Sequence, residues 1–304
     1  MSGSRPISSM DPMPRATANM VDLEYETFGD PRSAPLLLIA GLGSQMLSWD
    51  EELCELLVSR GFYVIRFDNR DIGLSSHLEE LGPADIVAAA SGDPRPAYRL
   101  DDMAADAAGL LDALGIKAAH VVGVSMGGFV AQLVALTHPE HVLSLTSIMS
   151  GPNGSDQVPP TADGSAVLLV PAPATREERI ALAVWVRKTL VGPADEFDPD
   201  YEAARAARIV DRAYYPPGYG RQLVAVLAAP SRLERLESLR VPALVIHGTE
   251  DILVPVENGR KVAAAIPGAR LLEIQGMGHD LPKRAWPEIA DAIAELAQQS
   301  AAAS

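Results

Sequence analysis

The sequence predicts an α/β fold, a mostly parallel central sheet flanked by helices with an inserted helical segment, and three observations carry that prediction. Short apolar runs suited to buried strands alternate with stretches of helical apolar spacing. One junction, Val121-Val122-Gly123-Val124-Ser125-Met126-Gly127-Gly128, compresses a strand end and a helix start around a single serine. Between Ser150 and Pro230 the strand pattern disappears and only helical stretches remain. The chain therefore divides into an N-terminal tail over residues 1–20, a core over 21–150 and 231–300, and an insertion over 151–230.

Val21 to Phe28 alternates, with Val21, Leu23, Tyr25 and Thr27 on one parity, which predicts an edge strand closed by the Gly29-Asp30-Pro31 turn. Pro35 to Ala40 is continuously apolar, the pattern of a strand covered on both faces, and it ends at Gly41-Leu42-Gly43-Ser44. A helix over Ser48 to Ser59 leads through Gly61 to another buried strand, Phe62 to Phe67. Next comes Asp68-Asn69-Arg70-Asp71-Ile72-Gly73-Leu74-Ser75, read as a hydrogen-bonded turn because Asp and Asn cap amides and Arg bridges carbonyls and carboxylates. His77 to Tyr98 is irregular. From Asp101 or Asp102 the apolar positions Met103, Ala107, Leu110, Leu111 and Leu114 recur at helical spacing. Ala118 to Val124 is small, apolar and β-branched, hence a buried strand; Met126 to Thr137 is the helix packed on it, and Val142 to Met149 the next strand.

In the insertion, Thr175-Arg176-Glu177-Glu178 has capping-box spacing before a helix through Leu190. Asp198-Pro199 opens a second helix, Pro216-Pro217 breaks it, and a third covers Gln222 to Ala229. Helices without strands, set between two strands of a sheet, predict a lid over the face that carries the chemistry. The sheet resumes at Val241 to His247 and stops at Gly248-Thr249-Glu250-Asp251. A helix over Glu257 to Ile266, a strand over Ala269 to Ile274, the turn Gly276-Met277-Gly278-His279 and a helix over Lys283 to Gln299 complete the chain.

Composition narrows the partners. Of 304 residues, 48% are hydrophobic and 21% charged, as in soluble globular proteins, and a net charge of -15 disfavours nucleic acid and anionic membrane. No apolar run in Met1 to Met20 has signal-peptide length and no stretch approaches a membrane span, so a cytoplasmic location is expected. The one cysteine, Cys54, lies in an apolar helical pattern and reads as a small buried hydrophobe.

The chemistry centres on Ser125. In G-x-S-x-G between strand and helix, the serine takes a sharp turn that lifts its hydroxyl clear, and the flanking glycines allow strand and helix to approach closely. A serine hydroxyl needs a base, and the base an orienting acceptor. His279, on a glycine-flanked loop after a strand, suits the first role, and Asp251 suits the second because the tight turn ending its strand aims it at the histidine loop. Glu250 and Asp156 compete with Asp251. The amides of Leu42 and Met126 are the candidates for holding an oxyanion. His120 and His247 lie in apolar strands and read as core residues, while His77, His138 and His141 sit in a loop and at a helix end. With no H-E-x-x-H, no G-x-G-x-x-G and no P-loop lysine, neither metal nor cofactor is expected.

Over Val21 to Gln299 the chain resembles the α/β-hydrolase superfamily, on Gly123-Val124-Ser125-Met126-Gly127-Gly128, His247-Gly248-Thr249-Glu250-Asp251, Gly278-His279 and the Asp68 to Ser75 turn. Within it, Gly276-Met277-Gly278-His279-Asp280-Leu281-Pro282 is similar to small lidded esterases of the aclacinomycin methylesterase type. The resemblance implies the α/β-hydrolase fold, a Ser125-His279-Asp251 triad and hydrolysis of a small-molecule carboxylic ester through an acyl-enzyme, and lid helices that bury apolar faces against the site predict a small to medium, largely apolar ester. Two positions depart from many relatives: Ala40-Gly41 replaces His-Gly, and Asp71 replaces Gly. The same triad also serves proline imino- or aminopeptidases, for which the acidic Asp195, Glu196, Asp198 and Asp200 would hold a substrate ammonium, and cofactor-free haloperoxidases or perhydrolases. A ligand-binding receptor of the same fold is the non-enzymatic alternative.

Overall fold

The computed structural model describes residues 14–303. Its strands are β1 (Arg15–Ala18), β2 (Val21–Phe28), β3 (Ala34–Ile39), β4 (Phe62–Phe67), β5 (Ala119–Val124), β6 (Val142–Ile148), β7 (Ala243–Gly248) and β8 (Arg270–Ile274). They form one eight-stranded sheet in the order β1-β2-β4-β3-β5-β6-β7-β8. Only β1–β2 and β2–β4 pair antiparallel; every other neighbour is parallel. Outside the insertion the helices are α1 (Glu51–Ser59), α2 (Ile86–Ala90), α3 (Leu100–Ala113) and α4 (Met126–Thr137), then after it α9 (Leu233–Leu236), α10 (Val256–Ala265) and α11 (Trp286–Ala303). The insertion carries α5 (Ala162–Leu168), α6 (Arg176–Leu190), α7 (Pro199–Arg212) and α8 (Pro216–Ala228).

Continuous apolar strands follow from burial on both sides. Successive side chains of β3 point to opposite faces, so Leu36 and Leu38 pack with Leu53 and Leu57 of α1 and Ile289 and Ile293 of α11. Leu37 and Ile39 pack on the other face with Met103 and Leu110 of α3 and Val130 and Leu133 of α4. Cys54 is buried among the first group, where burial pushes its thiol up to about 12 and leaves it without nucleophilic character at neutral pH.

Several expectations are corrected. Residues 1–13 of the expected tail lie outside the described residues, but Arg15–Ala18 is a strand paired with β2, so β2 is an inner strand rather than an edge. The hairpin between them turns at Asn19 and Met20, both at positive φ (45° and 65°), the geometry of a two-residue turn matched to strand twist. Pro216 and Pro217 do not break a helix. They begin α8, because proline lacks only an amide that the first helical turn leaves unpaired. The short helices α2 and α5 were not expected, being too brief to show a period. The capping box at Thr175 and Glu178 and the Asp198 cap with Pro199 behind it form as expected at α6 and α7.

The Asp68 to Ser75 turn is the joint between core and insertion. Asp68 accepts from the amides of Met46 (2.7 Å) and Leu74 (2.9 Å) and pairs with Arg212 of α7 at 2.6 Å. Asp71 takes a positive φ of 68°, tolerated by Asp in place of Gly, and its carboxylate accepts from Leu78 N (2.7 Å) and from Arg221 of α8 through two bonds of 2.8 Å. Arg70 makes a similar fork on Asp106 of α3, at 2.5 and 2.6 Å. Arg221 and Asp71 are both buried, so removing one leaves an uncompensated charge. Arg221→Met is expected to cost about 3–5 kcal/mol, read from the denaturant midpoint, with Arg221→Lys recovering only part because an ammonium cannot reproduce the fork.

Candidate active site

β5 ends at Val124, and the chain reverses into α4 through Ser125, whose φ of 55° and ψ of −120° are strained for a residue with a side chain. The surroundings hold that conformation. The Ser125 amide donates to Ile148 O (2.9 Å), and its carbonyl accepts from Gly128 N (2.9 Å) and Ser150 Oγ (2.9 Å). The elbow closes only because Gly123 and Gly127 lack side chains: a Cβ on Gly123 would lie 2.0 Å from Gly127 O, and one on Gly127 would lie 2.2 Å from Ile39 O. Both obstacles are backbone, so Gly123→Ala is expected to destabilise by about 3 kcal/mol or more, seen as a lowered denaturant midpoint.

His279 follows β8 and Asp251 follows β7, and both loops bend over the strand ends towards the elbow. The structure places His279 Nε2 2.9 Å from Ser125 Oγ and His279 Nδ1 2.7 Å from Asp251 Oδ2. Asp251 is buried. Burial raises its carboxyl, but the His279 charge and the hydrogen bonds from His247 and His279 outweigh that and hold it at about 2. An ionised carboxylate only accepts, so Nδ1 of His279 carries the proton and Nε2 offers its lone pair to the serine hydroxyl. Oδ1 of Asp251 is meanwhile fixed by the amides of Leu253 (2.9 Å) and Val254 (2.7 Å). Of the competitors, Asp156 is engaged elsewhere, accepting from Ser231 Oγ at 2.5 Å, and Glu250 uses its amide to reach Met277 O (3.0 Å) while its side chain is exposed.

Leu42 and Met126 flank the serine. A Cβ on Gly41 would sit 3.4 Å from Ser125 Cβ, which puts the loop after β3 against the nucleophile position, and Met126 is the first residue of α4, at the positive end of its dipole. Among the described residues neither amide has a hydrogen-bond acceptor. The loop is held from two sides. Asn69 Nδ2 donates to Ala40 O (3.1 Å), and Gln222 of α8 accepts from Gly43 N (2.9 Å) while donating to Arg70 O (3.0 Å). A cavity of about 1730 Å³ between core and insertion reaches Ser125 and His279 and is walled by apolar side chains such as Phe129, Met149, Val186 and Leu223.

Reading His247 as a plain core residue missed its contact with the site. It is fully buried, yet its Nε2 lies 2.6 Å from Val254 O and 3.4 Å from Asp251 Oδ2. A carbonyl only accepts, so this imidazole carries its proton on Nε2 and supports the Asp251 loop. The available signal was its position four residues before Asp251 at a strand end. His120 is a core histidine, bonded to Ser144 Oγ at 2.8 Å and held down at about 4 by burial. Among the described residues no group of three or more His, Cys, Asp or Glu side chains could hold a metal ion, and no helix is long and apolar enough to cross a membrane.

Known proteins resemble the chain in sequence and in fold. Residues 34–282 match the family model described as alpha/beta hydrolase fold. Rhodomycin D methylesterase DnrP of Streptomyces peucetius is 34% identical over 298 residues, covering 91% of this chain and 95% of that protein. A hydrolase from Pseudomonas aeruginosa superposes with a TM-score of 0.70 at 25% identity over 96% of this chain and 99% of its own. A meta-cleavage product hydrolase from Pseudomonas fluorescens, 21% identical, superposes with a TM-score of 0.75 over 94% of this chain and 98% of its own. With a family match that spans the sheet from β3 through the His279 loop, the chain belongs to the alpha/beta hydrolase fold family.

Proposed function

We propose that this protein is a serine carboxylesterase that acts on a bulky, largely apolar carboxylic ester through an acyl-enzyme. The observation that carries the proposal is the continuous relay from Ser125 Oγ through His279 to Asp251, at 2.9 and 2.7 Å, beside two amides without acceptors. Ser125 Oγ attacks the ester carbonyl as its proton passes to His279 Nε2. The carbonyl oxygen becomes an oxyanion between the Leu42 and Met126 amides, and Asp251 stabilises the imidazolium. Collapse breaks the bond to the alcohol oxygen, which leaves with the proton from Nε2. A water then gives its proton to His279, attacks the acyl carbonyl and releases the acid, restoring the Ser125 hydroxyl.

Similarity to a rhodomycin D methylesterase and the size of the cavity favour the methyl ester of a large acid. At about 1730 Å³ the space exceeds the roughly 300–1,000 Å³ of ordinary small-ligand sites. Residues 151–230 act as the lid that walls this space. For the peptidase alternative, Asp195 is forked by Arg284, Asp198 caps α7 and Asp200 lies off the cavity wall, which leaves Glu196 as the one of the four acidic residues on that wall not engaged by such a contact. Assaying the methyl esters of a small and a polycyclic aromatic acid beside a proline p-nitroanilide and a peroxide-dependent bromination tests this reading. Turnover of the esters, highest kcat/KM for the bulky one, is expected. Faster cleavage of the anilide, or bromination exceeding ester hydrolysis, would contradict it.

A further inference from the structure

The loop that carries His279 is held from the insertion as well as from the core, and the insertion does so through one short stretch at the end of α6. The His279 amide itself donates to Leu190 O at 2.9 Å, and Ala194 N donates to Gly276 O at 3.3 Å. The two segments run at backbone contact. A Cβ on Gly278 would meet Leu190 O at 2.2 Å, and one on Gly192 would meet Gly276 O at 2.0 Å. Two ion pairs flank this seam. Arg284 forks Asp195 at 2.5 and 3.2 Å, and Arg187 lies 2.6 Å from Oδ1 of Asp280, the residue that follows His279.

The inner pair differs from a surface pair. The Asp280 side chain is only 1% exposed, and Arg187 is its sole ion-pair partner among the described residues. Burial pushes the Asp280 carboxyl above its ordinary value, and Arg187 opposes that rise. Arg187 also reaches Glu202 of α7 at 3.3 Å, so its guanidinium joins two insertion helices to the histidine loop. Losing the cation leaves a buried carboxylate with nothing to face, directly beside the imidazole, and the loop then has reason to move towards water.

We propose that Arg187, through its ion pair with Asp280, is a positioning residue that sets His279 against Ser125, which makes the end of α6 part of the frame of the reaction centre. This rests on the reading of Ser125 and His279 as nucleophile and base. It also constrains the lid: any opening of the cavity has to leave residues 187–195 seated on the histidine loop, or the relay is broken while the lid is open.

The test compares Arg187→Met, Arg187→Lys and Asp280→Asn with wild type on p-nitrophenyl acetate, a substrate too small to depend on the fit of the cavity. Rates are taken per site titrated with a fluorophosphonate, which removes any misfolded fraction. A displaced general base predicts a fall in kcat of about 10- to 100-fold for Arg187→Met and Asp280→Asn, with KM within about twofold of wild type. The rate of phosphonate labelling should fall in parallel, and Arg187→Lys, which keeps a cation, should recover most of kcat. If Arg187→Met does not fold, Asp280→Asn, nearly isosteric, decides the matter. A kcat per titrated site within twofold of wild type in Asp280→Asn, or a raised KM with kcat unchanged, overturns the proposal. Ser125→Ala, measured per mole of protein because it has no serine to titrate, separates the two failures: if it retains activity, the reading of the nucleophile falls, and if only the Arg187 and Asp280 variants do, the positioning role falls alone.

Discussion

Replacing Ser125 with alanine is expected to lower kcat/KM for a p-nitrophenyl ester by about 10⁴- to 10⁶-fold, with little change in thermal stability. The hydroxyl accounts for both effects. Among the described residues it is the hydrogen-bond partner of His279 Nε2, at 2.9 Å, and the backbone contacts that fix the elbow run through the Ser125 amide and carbonyl, which alanine keeps. Residual turnover should reflect the cavity and the Leu42 and Met126 amides alone. An alanine variant within tenfold of wild type would mean that another group attacks the ester.

Asp251→Asn should reduce kcat by about 10⁴-fold at neutral pH, for a reason that the hydrogen bonds make explicit. The carboxylate accepts from three N–H groups, Leu253 and Val254 on Oδ1 and His279 on Oδ2, while His247 Nε2, which donates to Val254 O, lies 3.4 Å from Oδ2. An asparagine has one acceptor oxygen. If that oxygen keeps the two loop amides, its NH₂ faces Nδ1 of His279, which must then become the acceptor. The proton moves to Nε2, and the imidazole loses the lone pair that takes the serine proton. The same pairs make a pH-dependent contribution to stability. The Asp251 carboxyl lies at about 2 against an ordinary 3.8, so its contribution is present above about pH 4 and is lost as the pH falls through 2. The Tm difference between wild type and Asp251→Asn should therefore shrink across that window.

Much of this architecture is legible in the sequence because it is local. The glycines around Ser125 announce an elbow, since a Cβ at Gly123 or Gly127 would enter the facing backbone. Continuous apolar runs announce strands covered on both sides, and the capping residues Thr175 and Asp198 mark where α6 and α7 begin. What escaped depends on distant partners or on very short elements. β1 is four residues whose only apolar side chains are the alternating alanines Ala16 and Ala18, too short and too weakly apolar to show as a strand, and it exists because β2 supplies its hydrogen bonds. The buried imidazole of His247 looks like any inward-facing strand residue until the turn at Gly248, pressed to 2.2 Å from Met277 O for a Cβ, folds Asp251 back towards it. The pairs Arg221–Asp71, Arg212–Asp68 and Arg187–Asp280 each join the insertion to the core across a long sequence separation, so no spacing rule reveals them.

They also change how the insertion is understood. From sequence it is a cover of helices. In the structure α8 supports the Leu42 loop through Gln222, α7 grips the Asp68 turn through Arg212, and the end of α6 sits on the His279 loop. Residues of the insertion thus reach both sides of Ser125, so substitutions there can alter turnover as well as substrate fit.

The most direct measurement of the central claim is to quench the enzyme during turnover of a slowly deacylating aryl ester and locate the bound acyl group by peptide mass spectrometry. The account predicts one acyl adduct per chain on the peptide containing Ser125, formed in a burst stoichiometric with enzyme and absent from Ser125→Ala. Steady turnover with no adduct at Ser125, or an adduct on another side chain that persists in Ser125→Ala, would contradict it.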